Sequence, residues 1–182
     1  MIYTPQEDSY LLEKYVKRHA FGRVLDIGSG SGIQAMAALP IAEEVVATDI
    51  DDEALEHLKD LENKHKNLRV IESNLFENID ETFDTIIFNP PYLPEQEGEE
   101  VSVARAVSGG KKGYEVLAHF FQKVDKYLNP NGKILIVFSS LTNRKIIDEM
   151  IKTYGFKYEL LEVRDFDFEK LYVYLIMKGE KQ

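Results

Sequence analysis

The segment Val24-Leu25-Asp26-Ile27-Gly28-Ser29-Gly30-Ser31-Gly32 decides the fold class, because it places a glycine-rich turn directly after a buried apolar strand. Glycines in such a turn let the backbone approach a ligand, and the helix that follows presents unpaired N–H groups. A dinucleotide fingerprint would need a third glycine at the position of Ile33, so the spacing is wrong for that motif. Asp26 would repel a diphosphate there, whereas a cationic or zwitterionic ligand would be accommodated. The segment therefore predicts a binding loop for such a ligand.

Short apolar runs alternate with segments at helical spacing along the chain, which predicts an α/β fold with a mostly parallel sheet covered on both faces. No helical stretch separates the last two strands, so they should form a hairpin with its loop near 165–169. Strands are expected at 24–27, 45–48, 68–71, 85–88, 134–138, 158–163 and 171–177, and helices at 6–20, 31–39, 52–66, 113–128 and 142–154.

Local signals indicate where several helices begin and end. Thr4 is the expected N-cap of the first helix, with Pro5 as the first helical residue and Glu7 closing a capping box. Asp51 is the expected cap of the third helix. The segment Asn129-Pro130-Asn131-Gly132 is expected to end the fourth helix.

The composition excludes several functional classes. The chain has 182 residues with a net charge of −10 and no cysteine, which predicts one domain over 1–182 and excludes disulfides and thiolate zinc sites. The four histidines have no metal-ligand spacing. The acidic charge disfavours unaided binding to nucleic acid. The longest clean apolar run, 134–138, is too short for a membrane span, the chain start does not resemble a signal peptide, and a cytoplasmic location is expected.

Asp49 is the second candidate for ligand binding. It ends the second strand, 21 residues after Gly28, and an acid at about this distance accepts hydrogen bonds from ribose hydroxyls in doubly wound folds. Asp49 and the glycine turn together make a stronger prediction than either one alone.

The motif Asn89-Pro90-Pro91-Tyr92 follows the fourth strand directly. Its two prolines remove backbone donors and restrict the chain, so the Asn89 side chain and the Pro90 carbonyl are held rigidly at the carboxyl end of the strand. Both can accept hydrogen bonds from an amide or amino NH₂, and the Tyr92 ring can stack on its planar face. The motif predicts a binding site for such a group.

These features resemble class I S-adenosylmethionine-dependent methyltransferases, and more narrowly the HemK-type glutamine N5-methyltransferases of the short archaeal and eukaryotic branch. The narrower resemblance is carried by Tyr3-Thr4-Pro5-Gln6-Glu7-Asp8-Ser9, by the N-P-P-Y motif and by Ser108-Gly109-Gly110-Lys111-Lys112-Gly113. It implies a Rossmann-like seven-stranded sheet in the order 3-2-1-4-5-7-6, with the last strand antiparallel and helices on both faces. The first helix, about 5–20, would pack over the cofactor site.

The resemblance also implies roles for individual residues toward the cofactor S-adenosyl-L-methionine and a glutamine amide. The cofactor would be bound by Ser9, Asp26, Gly28, Gly30, Gly32, Asp49, Asn74, Leu75 and Asn89, and catalysis would use Asn89, Pro90 and Tyr92. Asn74 stands where the family has an acid near the adenine amino group, so this contact departs from the family pattern. The implied substrate is the Gly-Gly-Gln loop of a class I release factor.

Three other functions remain open from the sequence. The N-P-P-Y motif also occurs in adenine N6 and guanine N2 amino-group methyltransferases, although the glutamates of segment 94–100 would repel phosphates. A protein-lysine methyltransferase is a further alternative. A non-catalytic cofactor-binding or partner-binding module would bind cofactor without turnover.

The third strand, 68–71, should lie at an edge of the sheet, and an exposed edge invites pairing with another chain. The resemblance implies a small zinc-binding activator subunit as a partner. Since the chain has no cysteine, thiolate-bound zinc would have to come with that partner.

Overall fold

The computed structural model describes residues 4–91 and 113–180, and the elements are numbered in the order in which they occur there. The helices are α1 (Glu7–His19), α2 (Ile33–Ala38), α3 (Asp52–Glu62), α4 (Glu115–Lys123) and α5 (Arg144–Thr153). The strands are β1 (Arg23–Ile27), β2 (Glu44–Asp49), β3 (Leu68–Glu72), β4 (Phe83–Phe88), β5 (Leu128–Ser139), β6 (Phe156–Asp165) and β7 (Lys170–Lys178). Short 3₁₀ turns occupy Val124–Lys126 and Ser140–Thr142.

The seven strands form one sheet in the order β3-β2-β1-β4-β5-β7-β6. Strands β1 to β5 pair in parallel, and β7 runs antiparallel to both of its neighbours. The predicted order, the antiparallel last strand and the β6–β7 hairpin are confirmed. β3 lies at a sheet edge, as expected.

Apolar side chains on both faces of the sheet form the core. Ile87 points to the face that packs against α1, α2 and α3. Its neighbours Ile86 and Phe88 point to the opposite face, which packs against α4 and α5. A strand that is buried on both faces needs a continuous apolar run, which explains why the segments of the central strands are continuously apolar.

The first helix begins later than expected, and the predicted capping box is wrong. Gln6 is the N-cap and makes no capping hydrogen bond through its side chain. Pro5 therefore precedes the helix, and Glu7 is its first residue, so the Glu7 carboxylate is misplaced for a capping box with Thr4. It lies 4.0 Å from the guanidinium of Arg164 instead.

The fifth strand also differs from the prediction, because it begins at Leu128, the last residue of the predicted helix, and includes the segment 129–132 that was expected only to end that helix. The pairing of β4 with β5 shifts register between Phe83, which faces Leu128, and Thr85, which faces Lys133. This irregularity accommodates Pro130, which has no N–H for a regular ladder. By contrast, the predicted cap of α3 is confirmed, since the Asp51 side chain accepts a hydrogen bond from the N–H of Ala54.

No helix in the described part of the chain is long and apolar enough to span a membrane. Because β1, β2 and β4 run in parallel, their carboxyl ends lie side by side. We call this the carboxyl edge of the sheet, which is different from the lateral edge formed by β3. This edge carries the predicted site residues.

Candidate active site

The glycine turn between β1 and α2 is anchored to the end of β2. The Ser29 N–H donates to the carbonyl of Thr48 at 2.8 Å. Gly28, Gly30 and Gly32 all have positive φ angles, of 63°, 53° and 77°. Residues with a side chain rarely adopt this conformation, so the turn depends on glycine at all three positions.

The three glycines differ in what surrounds them. A Cβ at Gly28 or Gly30 would meet nothing within 4 Å. A Cβ at Gly32 would lie 2.9 Å from Leu61 Cδ1 and 3.2 Å from Leu58 Cδ2. The first two glycines therefore leave an open face for a ligand, whereas the third allows α3 to pack closely.

Asp26 lies beneath this turn with 1% of its surface exposed. Its carboxylate accepts hydrogen bonds from the Ser29 hydroxyl and, at 3.0 Å, from the N–H of Ala35. Burial raises the pKa of Asp26 to about 7, the nearby Asp49 charge acts in the same direction, and the two hydrogen bonds oppose the shift. The protein therefore has a carboxyl group with a pKa near neutral pH, and this group lies where the carboxyl ends of β1 and β2 meet.

Asp49 connects the glycine turn to the start of α3. Its Oδ2 accepts the Gly30 N–H at 2.8 Å, and its Oδ1 accepts the N–H groups of Ile50 and Asp51 at 2.8 and 3.0 Å. Each carboxylate oxygen has further lone pairs, so these bonds leave it able to accept hydroxyl groups from a ligand.

Asn74 and Leu75 lie in the turn after β3, next to the end of β2. The Ser73 N–H donates to the carbonyl of Asp49 at 3.0 Å, which holds this turn beside Asp49. The Asn74 side chain is exposed and donates to Glu77 at 3.3 Å. Leu75 has a φ of 50°, a strained backbone conformation of the kind that clusters at functional sites.

Asn89 directly follows β4 and meets the first turn of α1. Its Nδ2 donates to Asp8 Oδ2 at 3.2 Å and to Ser9 Oγ at 3.4 Å. Its Oδ1 is buried and has no hydrogen-bond partner among the described residues. Such orphaned acceptors are rare in folded proteins, so this oxygen is a candidate for binding a donor from a ligand. Pro90 is buried beside it, and Tyr92 lies outside the described residues.

Asp8 is the site residue that the sequence analysis missed. Only 4% of its surface is exposed, and its Oδ1 accepts the N–H of Ser9 at 2.7 Å. The signal was its spacing, because Asp8 precedes Leu11, Leu12, Tyr15 and Val16 at intervals that place an acid on the buried face of α1. An acid on that buried face is a candidate site residue.

Contacts with β6 and α2 hold α1 over the sheet edge. The Tyr15 hydroxyl lies 2.8 Å from a Glu162 carboxylate oxygen, and Lys14 forms an ion pair with the same carboxylate at 2.6 Å. The bond from Lys14 is the main cause that lowers the pKa of Glu162 to about 2. Gln34 Nε2 donates to the carbonyl of Ser9 at 2.8 Å, which fixes the helix start that carries Asp8 and Ser9.

The structure therefore brings most of the predicted residues to one edge. Asp26 and Asp49 flank the glycine turn, Asn74 and Leu75 lie next to Asp49, and a separate contact joins Ser9 to Asn89. Within residues 4–91 and 113–180, no group of three or more His, Cys, Asp or Glu side chains could hold a metal ion.

The strand order and the polar groups at this edge define a Rossmann-like protein of the methyltransferase class. The chain belongs to the methyltransferase small domain family, whose model matches residues 6–165.

The relatives agree with this assignment. The chain is 38% identical over 176 residues to a Methanocaldococcus jannaschii protein that is provisionally named as a protein N5-glutamine methyltransferase, a match covering 94% of this chain and 89% of that one. It is 30% identical to methyltransferase HEMK2 of Homo sapiens, over 85% of this chain and 79% of that one. Among solved structures, the E. cuniculi Mtq2-Trm112 complex, described as responsible for methylation of the termination factor eRF1, matches with a TM-score of 0.78 and 24% identity over 97% of this chain and 98% of that one.

Proposed function

We propose that the protein transfers a methyl group from S-adenosyl-L-methionine to the side-chain amide nitrogen of a glutamine, in the Gly-Gly-Gln loop of a class I release factor. The observation that carries this proposal is the buried Oδ1 of Asn89, which has no hydrogen-bond partner within residues 4–91 and 113–180 and can accept a hydrogen bond from an amide NH₂. The names of the methanogen and human relatives support a methyltransferase, and the first of them supports glutamine as the acceptor.

The described residues fit the cofactor. Its sulfonium and ammonium groups are positively charged, and the site holds acidic side chains at Asp49 and, beneath the glycine turn, at Asp26, whose pKa of about 7 a bound cation would lower. The open faces of Gly28 and Gly30 leave room for it, and Asp49 would accept the ribose hydroxyls. Ser9, Gly32, Asn74 and Leu75 complete the proposed contacts, although Gly32 chiefly packs against α3.

When bound, the cofactor supplies an electrophilic methyl group. An amide nitrogen is a poor nucleophile because its lone pair is delocalised, so its alignment must lower the barrier, and positioning can contribute about 7 to 11 kcal/mol. Asn89 Oδ1 and the Pro90 carbonyl would accept the two substrate N–H groups, and Tyr92 would hold the amide plane. The substrate nitrogen would take the methyl group, the sulfur would keep the electron pair of the broken carbon–sulfur bond as a neutral thioether, and the nitrogen would release one proton to solvent.

The test of this function is to incubate the protein with the cofactor and a release factor, and then to identify the modified residue by mass spectrometry. We expect one methyl group on the glutamine of the Gly-Gly-Gln loop. Methylation of a lysine, methylation of an added nucleic acid instead, or cofactor binding without any turnover would each contradict the proposal.

A partner subunit belongs to the same proposal. The E. cuniculi structure is a complex of two chains, and β3 offers an edge strand for pairing. We propose a small zinc-binding activator as the partner. The assay should therefore be run on the chain alone and on the chain co-expressed with such a subunit, and full activity of the soluble chain alone would refute the requirement.

The two kinds of glycine in the turn should respond differently to alanine. Gly30→Ala should weaken binding of S-adenosylhomocysteine by about tenfold or more, because the added methyl group projects into the open face. Gly32→Ala should mainly lower the melting temperature, because its methyl group meets Leu58 and Leu61. Calorimetric titration and thermal unfolding of both variants measure the difference, and equal losses of affinity would contradict it.

A further inference from the structure

The contact between Asp8 and Asn89 determines which end of the Asn89 amide faces the substrate. A carboxylate can only accept hydrogen bonds, so the atom of Asn89 that lies 3.2 Å from Asp8 Oδ2 must be the NH₂ nitrogen. The opposite orientation would bring the amide oxygen against a carboxylate oxygen in a buried place. Asp8 therefore holds Nδ2 inward and leaves Oδ1 as the atom available to a ligand.

Ser9 supports the same orientation. Its hydroxyl donates to Asp8 Oδ1 at 3.3 Å, so the hydroxyl oxygen accepts the Asn89 NH₂ at 3.4 Å. The Ser9 N–H also donates to Asp8 Oδ1, at 2.7 Å, which fixes the carboxylate itself. The bonds among these described residues hold the Asn89 donor toward Asp8 and Ser9 and away from the proposed substrate side.

We propose that Asp8 is a specificity-determining positioning residue, which makes the site accept a side-chain amide and reject the isosteric carboxylate of glutamate. The inference rests on the proposed function. A glutamine NH₂ can donate to Asn89 Oδ1, whereas a glutamate carboxylate would place a second acceptor against it. Sites that bind a substrate through a buried polar atom discriminate strongly against an analogue that leaves that atom unpaired.

Asp8→Asn is the informative variant because it should reverse the Asn89 amide. The new side-chain oxygen would keep the short bond from the Ser9 N–H, so the new NH₂ group would take the place of Oδ2. It would then donate to Asn89 Oδ1, and the Asn89 NH₂ would turn toward the substrate. The variant should bind glutamate better and glutamine worse.

The experiment compares the affinity for two release factors, one with the Gly-Gly-Gln loop and one with Gly-Gly-Glu, in the presence of S-adenosylhomocysteine. We expect the preference of the wild type for glutamine to fall by about tenfold or more in Asp8→Asn. The matched control is Asp84→Asn, because Asp84 lies near the opposite end of β4 and accepts the side-chain NH₂ of Asn129 at 2.7 Å. The control should keep the wild-type ratio. A folded Asp8→Asn variant with an unchanged ratio would overturn the proposal.

A measurement on the wild type tests the proposal if Asp8→Asn does not fold. The side-chain NH₂ signals of Asn89, assigned by their loss in Asn89→Ala, should exchange slowly with water and shift little when the Gly-Gly-Gln release factor binds. A large shift, with the NH₂ group turned toward the substrate, would overturn the proposal. Failure of the function itself is separate, since it would appear as unmodified glutamine in the wild-type assay.

Discussion

Asn89→Ala should slow methyl transfer about 100- to 1,000-fold, because it removes the acceptor that orients the substrate nitrogen. The alanine leaves Asp8 without one of its donors, but Ser9 continues to donate to that carboxylate through its N–H at 2.7 Å. We therefore expect the variant to fold. Single-turnover rates with a release factor, together with thermal unfolding, separate the loss of catalysis from a loss of stability.

Asn129→Ala is the matched control for this experiment. Asn129 also donates its side-chain NH₂ to a carboxylate, that of Asp84. This pair lies at the amino ends of β4 and β5, far from the proposed site. Its replacement removes a similar hydrogen bond without touching the proposed site, so the rate of methyl transfer should stay within a few-fold of wild type. If Asn89→Ala transferred methyl at the wild-type rate, the role proposed for Asn89 would be wrong.

Asp26 should make the ligand-free protein less stable as the pH rises from about 4 to about 7. Its pKa is raised from the ordinary value of 3.8 to about 7, so in this interval the folded protein binds a proton that the unfolded chain releases. Stability is therefore highest below the unfolded pKa and is lost as the pH rises through the folded one. The pKa difference corresponds to about 4 kcal/mol of unfolding free energy.

The comparison that isolates this effect is wild type against Asp26→Asn, because all other acids titrate in both proteins. Denaturant unfolding at pH 4 to 8 should show the wild type losing about 4 kcal/mol relative to the variant over that range. A difference that stays constant with pH would mean that Asp26 is already charged in the folded protein. The expected destabilisation is consistent with an acid retained for a cationic ligand.

Local patterns in the sequence were sufficient for much of the fold and part of the site. Runs rich in apolar and β-branched residues identified all seven strands. The central ones, such as β4, are continuously apolar because they are buried on both faces, whereas much of β6 is exposed. Asp51 was recognised as a cap from its position just before a helix. The start of α1 and the start of β5 were wrong because Pro5 and Pro130 suit more than one local structure, and only packing decides between them.

The sequence by itself determined the elements, the glycine turn and the placement of Asp49 and Asn89 at the ends of strands. Each of these depends on residues that are close together in the chain. Tertiary structure alone decided that Asp8 meets Asn89, 81 residues away, and therefore which atom of that amide faces a substrate. It also decided the proton affinity of Asp26, because the cost of charging a carboxylate depends on how completely the folded chain removes it from water.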